Sequence, residues 1–501
     1  MEIVTSLAGL LHASTATPAA LRYTQLVMRL WIAILIVLLL WGHPLAAVAQ
    51  DAQSPPPPSS TLEKGRLLPH VACSTHPDQS YALYLPSNYS PDRKWPLLLS
   101  SDPLARGSAP LELQKAAAEQ FGFILAASNN SRNGPGQARF DATEATLNDV
   151  QARVSIDPHR VYLAGFSGGA RFSSQIAFAC KCSAGVLLDG AGLSNGQSLA
   201  TDQPFPVFSA IGVLDFNYSE VIPLQDALDK AAYPHWLRIF NGAHEWAPGE
   251  VMEEAMIWFR IESMKAGREP RDPGFLDAHF AKMQERAHSF EQSGDLLAAW
   301  REYRQVAATL DTLKDVTALR AKADALGKEK VVREALKREQ GEFAEQVQLT
   351  GDITSRLDSS RQDADDRFES DRELRDQIAR LRMNAQQEKR PERARVYKRA
   401  LGGLFIGTFE MGDAALDDRN FTYAARLFDV CAQAKPDSEW AWRELAVAYA
   451  LSSKRKDAFA ALRKARDLAA DKPAFAKWLS SEPAFDAMRA YPEFTQLSGS
   501  T

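Results

Sequence analysis

Ser167 lies in Gly165-Phe166-Ser167-Gly168-Gly169, where the apolar run Val161-Tyr162-Leu163-Ala164 ends and a stretch of small and amphipathic residues begins. A serine hydroxyl at neutral pH is a weak nucleophile. To attack a carbonyl it must stand exposed, beside a general base, and near donors that hold the developing oxyanion. A serine flanked by glycines at a strand-to-helix turn meets the first need, because the glycines relieve crowding and let the hydroxyl project. The backbone N–H of Gly168, at the predicted helix start, would supply one oxyanion donor, helped by the partial positive charge of a helix N-terminus. Small residues cluster at many turns, so the pattern gains meaning only from its place between a strand and a helix.

Suitable partners follow along the chain. The run at 206–212 leads to Gly212-Val213-Leu214-Asp215, which puts a carboxylate in the loop after a later strand. The run at 236–240 leads to Asn241-Gly242-Ala243-His244-Glu245-Trp246. In this reading His244 takes the serine proton and returns it to the leaving group, while Asp215 fixes the imidazole tautomer and stabilises its charged form. Asp189, also placed after a predicted strand, is a second candidate for the acid. His159 and His235 precede strands and are expected to lie out of reach of Ser167.

The elements that must position these groups are short apolar runs alternating with helical stretches over 67–268. Strands are predicted at 81–86, 96–100, 123–128, 161–166, 185–190, 206–212 and 236–240, with helices at 111–121, 144–154 and 250–263. Buried runs alternating with helices predict an α/β class, a mostly parallel sheet covered on both faces. The first two predicted strands have no helix between them and are expected to be antiparallel.

Over these residues the chain resembles a compact α/β-hydrolase of the esterase group that includes secreted polyhydroxybutyrate depolymerases and feruloyl esterases. The matching pieces are "YALYLPSNY", "DPHRVYLAGFSGGA", Gly212-x-x-Asp215 and "GAHEW". The order serine, acid, histidine is that of the α/β-hydrolase triad. The resemblance implies Ser167, Asp215 and His244 as catalytic residues, an acyl-enzyme, no metal or organic cofactor, and an ester or peptide substrate. One departure concerns the oxyanion hole. Many such esterases carry His-Gly after their third strand, where a backbone N–H just beyond completes the hole; this chain has "LLLSSDPLARGSAP". Pro103 cannot donate, which leaves Ser101, Asp102 or Leu104, and the Asp102 region is expected to serve. Arg106 nearby is read as a helix-capping residue or an acid-binding one. Asn130 and Arg132, in the loop "SNNSRNGPGQARF" after a strand, are candidate substrate-binding residues, and Trp246 a candidate pocket wall. With no lid insertion between strands, the cleft is expected to be open.

After about residue 270 the strand signal disappears. Gly294-Asp295 to Tyr303, and Asn420 to Ala461 with Pro436, Trp440, Trp442 and Tyr449, resemble tetratricopeptide repeats, where small alanines at helix crossings alternate with large aromatics. A plain helical bundle is the alternative. The charged stretch from Lys328 to Lys398, interrupted by Pro391, is expected to be a solvated helix face. A repeat module would bind a protein partner on its concave surface.

At 501 residues the chain is long enough for two or three domains, and its net charge of -5 offers no electrostatic reason to expect nucleic acid. Met28-Arg29, the run "LWIAILIVLLLW" and Ala47-Val48-Ala49 match the three parts of a secretory signal. The run is short for a membrane span, which needs roughly 20 apolar residues; an uncleaved anchor is the alternative, and the only route to a membrane. The expected organisation is a signal within 1–49, a Pro-rich linker over 50–66, a hydrolase domain over 67–268 and a helical domain over 269–501, in the periplasm or outside the cell. An oxidising compartment would allow Cys73 to pair with Cys180 or Cys182, which stand too near each other in sequence to be expected to bond together.

Overall fold

The computed structural model describes residues 62–134, 136–200, 204–359 and 367–499. The signal-like segment and the linker up to residue 61 lie outside the described residues. Eight strands, β1 (Leu67–Ala72), β2 (Ser80–Tyr84), β3 (Trp95–Ser101), β4 (Ile124–Ser128), β5 (Ile156–Phe166), β6 (Gly185–Asp189), β7 (Val207–Gly212) and β8 (His235–Phe240), form one sheet in the order β1-β2-β4-β3-β5-β6-β7-β8. From β4 to β8 all neighbours are parallel. The antiparallel strands are β1 and β2, with β2 paired to β4 rather than to β3. β1 escaped the sequence reading because it is an edge strand containing Pro69 and His70, with only Val71 buried.

Between the strands run α1 (Ser108–Phe121), α2 (Gly136–Arg153), α3 (Gly168–Cys180), α4 (Tyr218–Lys230) and α5 (Gly249–Lys265). Alternation along the strands sorts the core into two layers. Leu97, Leu99, Val161, Leu163, Val186 and Leu188 pack with α2, α3 and α4; Leu98, Leu125, Tyr162, Leu187, Phe208 and Trp236 pack with α1 and α5. Both faces being covered explains why the strands read as continuous apolar runs. Since the parallel strands share one direction, the loops after β3, β4, β5, β7 and β8 emerge at one edge, where such sheets place their ligands.

The helical half contains α6 (Pro273–Gln292), α7 (Leu296–Leu310), α8 (Thr317–Lys328), α9 (Lys330–Ser359), α10 (Arg367–Gln387), α11 (Pro391–Asp417), α12 (Phe421–Ala434), α13 (Glu439–Leu451), α14 (Arg455–Leu468), α15 (Lys472–Ser481) and α16 (Pro492–Ser498). Asp295, Asn420, Ser438 and Asp471 cap helix N-termini by accepting backbone N–H bonds. The half contains two cores. Leu276, Met283, Ala299, Val306 and Leu310 continue the cluster of α5, so no break in the core occurs at residue 268, whereas Leu374, Ile378, Leu404, Phe428, Leu445 and Leu462 belong to a second cluster. Successive helices from α11 to α14 pack as neighbours.

The cysteine expectation needs correction. Cys180 and Cys182 are joined to each other, their Cα atoms 5.1 Å apart, while Cys73 and Cys431 are free and buried. The bond forms because α3 ends at Cys180 and Lys181 takes a left-handed conformation, φ 51°, turning the chain so that the two side chains meet. Burial pushes the Cys73 thiol up to about 11 and the Cys431 thiol up to about 12.

Candidate active site

β5 runs straight into Ser167, which has φ 53° and ψ -122°, a strained conformation for a residue with a side chain. The turn holds because its neighbours are glycines in very close contact. A Cβ on Gly165 would overlap the backbone of Gly169 and Ala170, and one on Gly169 would run into Ser101 at the end of β3, with the carbonyl carbon 2.8 Å away. The Ser167 N–H donates to the Asp189 carbonyl at 2.8 Å, which ties the turn to β6.

Three side chains from separate loops meet there. His244 Nε2 lies 2.8 Å from Ser167 Oγ, and His244 Nδ1 lies 2.9 Å from Asp215 Oδ2. Asp215 is fully buried and also accepts the Asn217 N–H at 2.8 Å. Burial raises its carboxyl above the ordinary value, against the pull of the His244 bond, the Asn217 N–H and the charge of Arg399. The imidazole is flanked by Phe166 and Phe216, with ring centroids 4.6 and 4.3 Å away. Such walls exclude water and orient the ring.

Asp189, the alternative acid, takes another position. It is fully buried, and its Oδ2 accepts the Ala247 N–H at 2.7 Å rather than a bond from His244. Burial drives its carboxyl well above the ordinary range, with the Asp215 charge acting in the same direction. With its Oδ2 on the Ala247 N–H and no bond to the imidazole, Asp189 anchors the loop that carries His244. His235 bonds the Tyr233 carbonyl at the start of β8, and His159 lies exposed within β5, both away from the carboxyl edge.

The Asp102 side chain is buried at the end of β3 and accepts from Arg106 Nε at 3.0 Å, Arg106 Nη2 at 2.8 Å, Trp246 Nε1 at 2.9 Å and the Leu104 N–H at 2.9 Å. Burial alone would raise this carboxyl, but the bonds and charge of Arg106, with the Trp246 and Leu104 bonds, outweigh it and hold the group below its usual range. Two consequences follow. The Leu104 N–H is occupied and cannot serve an oxyanion, and Arg106 clamps Asp102 through Nε and Nη2. Trp246 is half-buried with its ring 5.6 Å from Phe166, tied by its indole to Asp102.

Of the loop after β4, Asn130 is spent on structure: its Oδ1 accepts the Ser80 N–H at 2.9 Å. Arg132 is exposed and faces Asp413 of α11, a carboxyl pushed up to about 6 by burial and the neighbouring Asp417 and Glu410, with Arg132 pulling the other way.

The expected open cleft is bordered by a part of the chain distant in sequence. Arg399 of α11, only 2% exposed, donates through Nε to the Val213 carbonyl at 2.8 Å and stacks on Tyr218 at 3.6 Å. Gly402 and Gly403 lie against Phe216, the ring that covers His244. From α9, Gln346 donates to the Phe216 carbonyl at 2.6 Å, and Glu339 accepts from the Tyr218 hydroxyl at 3.0 Å. The charged stretch read as a solvated face is thus partly docked on the loop that carries Asp215. No feature of the sequence marked Arg399 or Gln346, since contacts between distant segments leave no local pattern. Phe216 stood next to Asp215 but carried no motif.

Arg399→Ala removes a charged hydrogen bond and leaves the Val213 carbonyl unpaired in a buried contact, a loss of roughly 1.5–3 kcal/mol. We expect a lower urea midpoint together with a fall of roughly tenfold to a hundredfold in kcat as the acid loop loosens. Equilibrium unfolding and steady-state kinetics on one preparation check both.

No family model and no curated relative matches the sequence. Solved structures similar to the chain include the S-formylglutathione hydrolase of Staphylococcus aureus, at 14% identity over 39% of this chain and 98% of that one, with a TM-score of 0.34. A fluorophosphonate-binding serine hydrolase from the same organism matches at 14% identity over 39% and 99%, TM-score 0.32. A feruloyl esterase module from Clostridium thermocellum matches at 16% identity over 40% and 90%, TM-score 0.31.

Proposed function

We propose that this chain is an exported serine hydrolase, a carboxylesterase that works through Ser167, His244 and Asp215 on an α/β-hydrolase fold. The observation that carries the reading is the unbroken line of hydrogen bonds from Ser167 Oγ through both ring nitrogens of His244 to buried Asp215, at a strained turn held by close glycine contacts. In the forward step Ser167 Oγ attacks the ester carbonyl, its proton passes to His244 Nε2, and the imidazolium is balanced by Asp215. His244 then protonates the departing alcohol, leaving an acyl-enzyme on Ser167. A water deprotonated by the same nitrogen hydrolyses it and restores the free serine. The aromatic rings of Phe166, Phe216 and Trp246 support an ester with an apolar acyl or alcohol part.

The N-terminal pattern of basic, apolar and small residues supports delivery to the periplasm or the outside. The repeat-like pattern of the helical half supports a protein partner on the surface not packed against the sheet domain.

Purified protein is expected to take up one equivalent of a fluorophosphonate, at Ser167, and to hydrolyse short acyl and aryl esters at least a hundredfold faster than matched amides. Comparable amide turnover would reassign it as a peptidase of the same architecture. Folded protein that neither reacts with the probe nor hydrolyses esters would be a binding scaffold instead.

A further inference from the structure

Of the groups after β3 that could complete the candidate oxyanion hole, those beyond Asp102 are unavailable. Pro103 has no N–H, and the N–H groups of Leu104 and Arg106 both donate to Asp102 Oδ1, at 2.9 and 3.3 Å. The Ala105 N–H closes a turn onto the Asp102 carbonyl at 3.0 Å. A tetrahedral intermediate on Ser167 would therefore find the Gly168 N–H, which as a first-turn helix donor has no intrahelical acceptor, but none of these three backbone groups opposite it.

Asn133 occupies the place next to that donor. Its side-chain amide lies against the Cα of Gly168, so closely that a Cβ at 168 would overlap it, with Asn133 Cγ 2.7 Å from the Cβ position. Gly168 has no positive φ that would demand glycine; the close approach of this amide does. The Asn133 backbone is held in place by its own N–H, which donates to the Pro103 carbonyl at 2.7 Å and so locks the loop after β4 onto the loop after β3. The amide itself makes no hydrogen bond to any described residue, unlike Asn129 and Asn130, whose side chains hold β1 and β2. Oδ1 and Nδ2 lie at nearly the same distance from the Cβ position, so a half-turn of the amide brings its NH2 to either place.

We propose that Asn133 is a side-chain oxyanion donor, its Nδ2–H acting with the Gly168 N–H on the oxyanion of an ester's tetrahedral intermediate. Ser167 Oγ bonds to the carbonyl carbon, the carbonyl π pair becomes the lone pair of the oxyanion, and the two donors neutralise it until the leaving group departs and the carbonyl re-forms. The proposal rests on the serine-hydrolase reading above. An amide side chain poised in this way contributes most where charge develops, so its loss lowers kcat more than it raises KM.

The test compares Asn133→Ala and the isosteric Asn133→Asp with wild type on one activated ester, alongside inhibition by an arylboronic acid, whose tetrahedral adduct on Ser167 carries the same negative oxygen. In both variants kcat is expected to fall roughly 10²–10³-fold, KM to stay within about threefold, and boronate affinity to weaken in parallel with kcat/KM. A merely structural role for this exposed side chain would not couple boronate binding to the rate. Wild type that hydrolyses the ester beside an Asn133→Ala protein within threefold of it overturns the donor assignment alone. Wild type that neither hydrolyses esters nor reacts with fluorophosphonate overturns the hydrolase reading, and this donor with it.

Discussion

Ester hydrolysis by the Ser167→Ala protein is expected to fall on the order of 10⁶-fold in kcat, to the level that binding and the oxyanion donors alone sustain. The magnitude follows from the chemistry that is lost. Without Oγ there is no acyl-enzyme, and His244 has no proton to take; any residual reaction must use water directly. Folding should be spared, because alanine fits wherever serine stands and Ser167 Oγ bonds only His244 Nε2 among the described residues. Removing the side chain does not remove the backbone strain at φ 53°, so stability should stay near wild type while activity and fluorophosphonate uptake vanish. A single-turnover assay with a thermal unfolding curve checks the pair. Activity retained within tenfold would show that another nucleophile does the work.

Asp215→Asn is expected to lower kcat roughly 10⁴-fold. An asparagine at 215 can turn its amide N–H towards His244 Nδ1, which forces the ring proton onto Nε2. That nitrogen then points a proton at Ser167 Oγ and cannot accept one. The geometry barely changes; the tautomer does. Asp189→Asn supplies the contrast, since the Ala247 N–H can still donate to an amide oxygen and no bond to His244 is involved. Its loss should stay within about tenfold, from a small displacement of the loop that bears His244. Equal losses at the two positions would mean that the buried pair acts as one unit and that the acid cannot be assigned to Asp215 alone. Matched kinetics of both variants and wild type on one ester give the comparison.

The sequence was most legible where function depends on local rules. A glycine-flanked serine between an apolar run and a helical stretch can be read directly, because a sharp turn at a sheet edge tolerates few residues beside it. Asp215 and His244 could be placed after their strands because parallel strands return to the same edge, so residues far apart in the chain share one rim. The buried strands β3 to β8 were visible as apolar runs since both faces of the sheet are covered. β1, an edge strand with Pro69 and one buried residue, carried no such signal.

What only the folded chain decided concerns contacts between segments with no shared pattern. Asp102 stands near the place expected for an oxyanion group, and its carboxylate also organises Arg106, Leu104 and Trp246, a role set by which donors surround it in space. Asn133 stands among three asparagines of one loop, beside the candidate ligands Asn130 and Arg132; the Asn130 bond to Ser80 and the approach of Asn133 to Gly168 separate their roles. Cys180 and Cys182 join because one left-handed residue reverses the chain between them. A further tertiary contribution is the docking of α9 and α11 on the acid loop, through Arg399, Gln346 and Gly403. Local periodicity records which face of a helix is apolar, but not which distant loop that helix meets. That choice is made by shape and by the pairing of buried polar groups, and both exist only once the chain has folded.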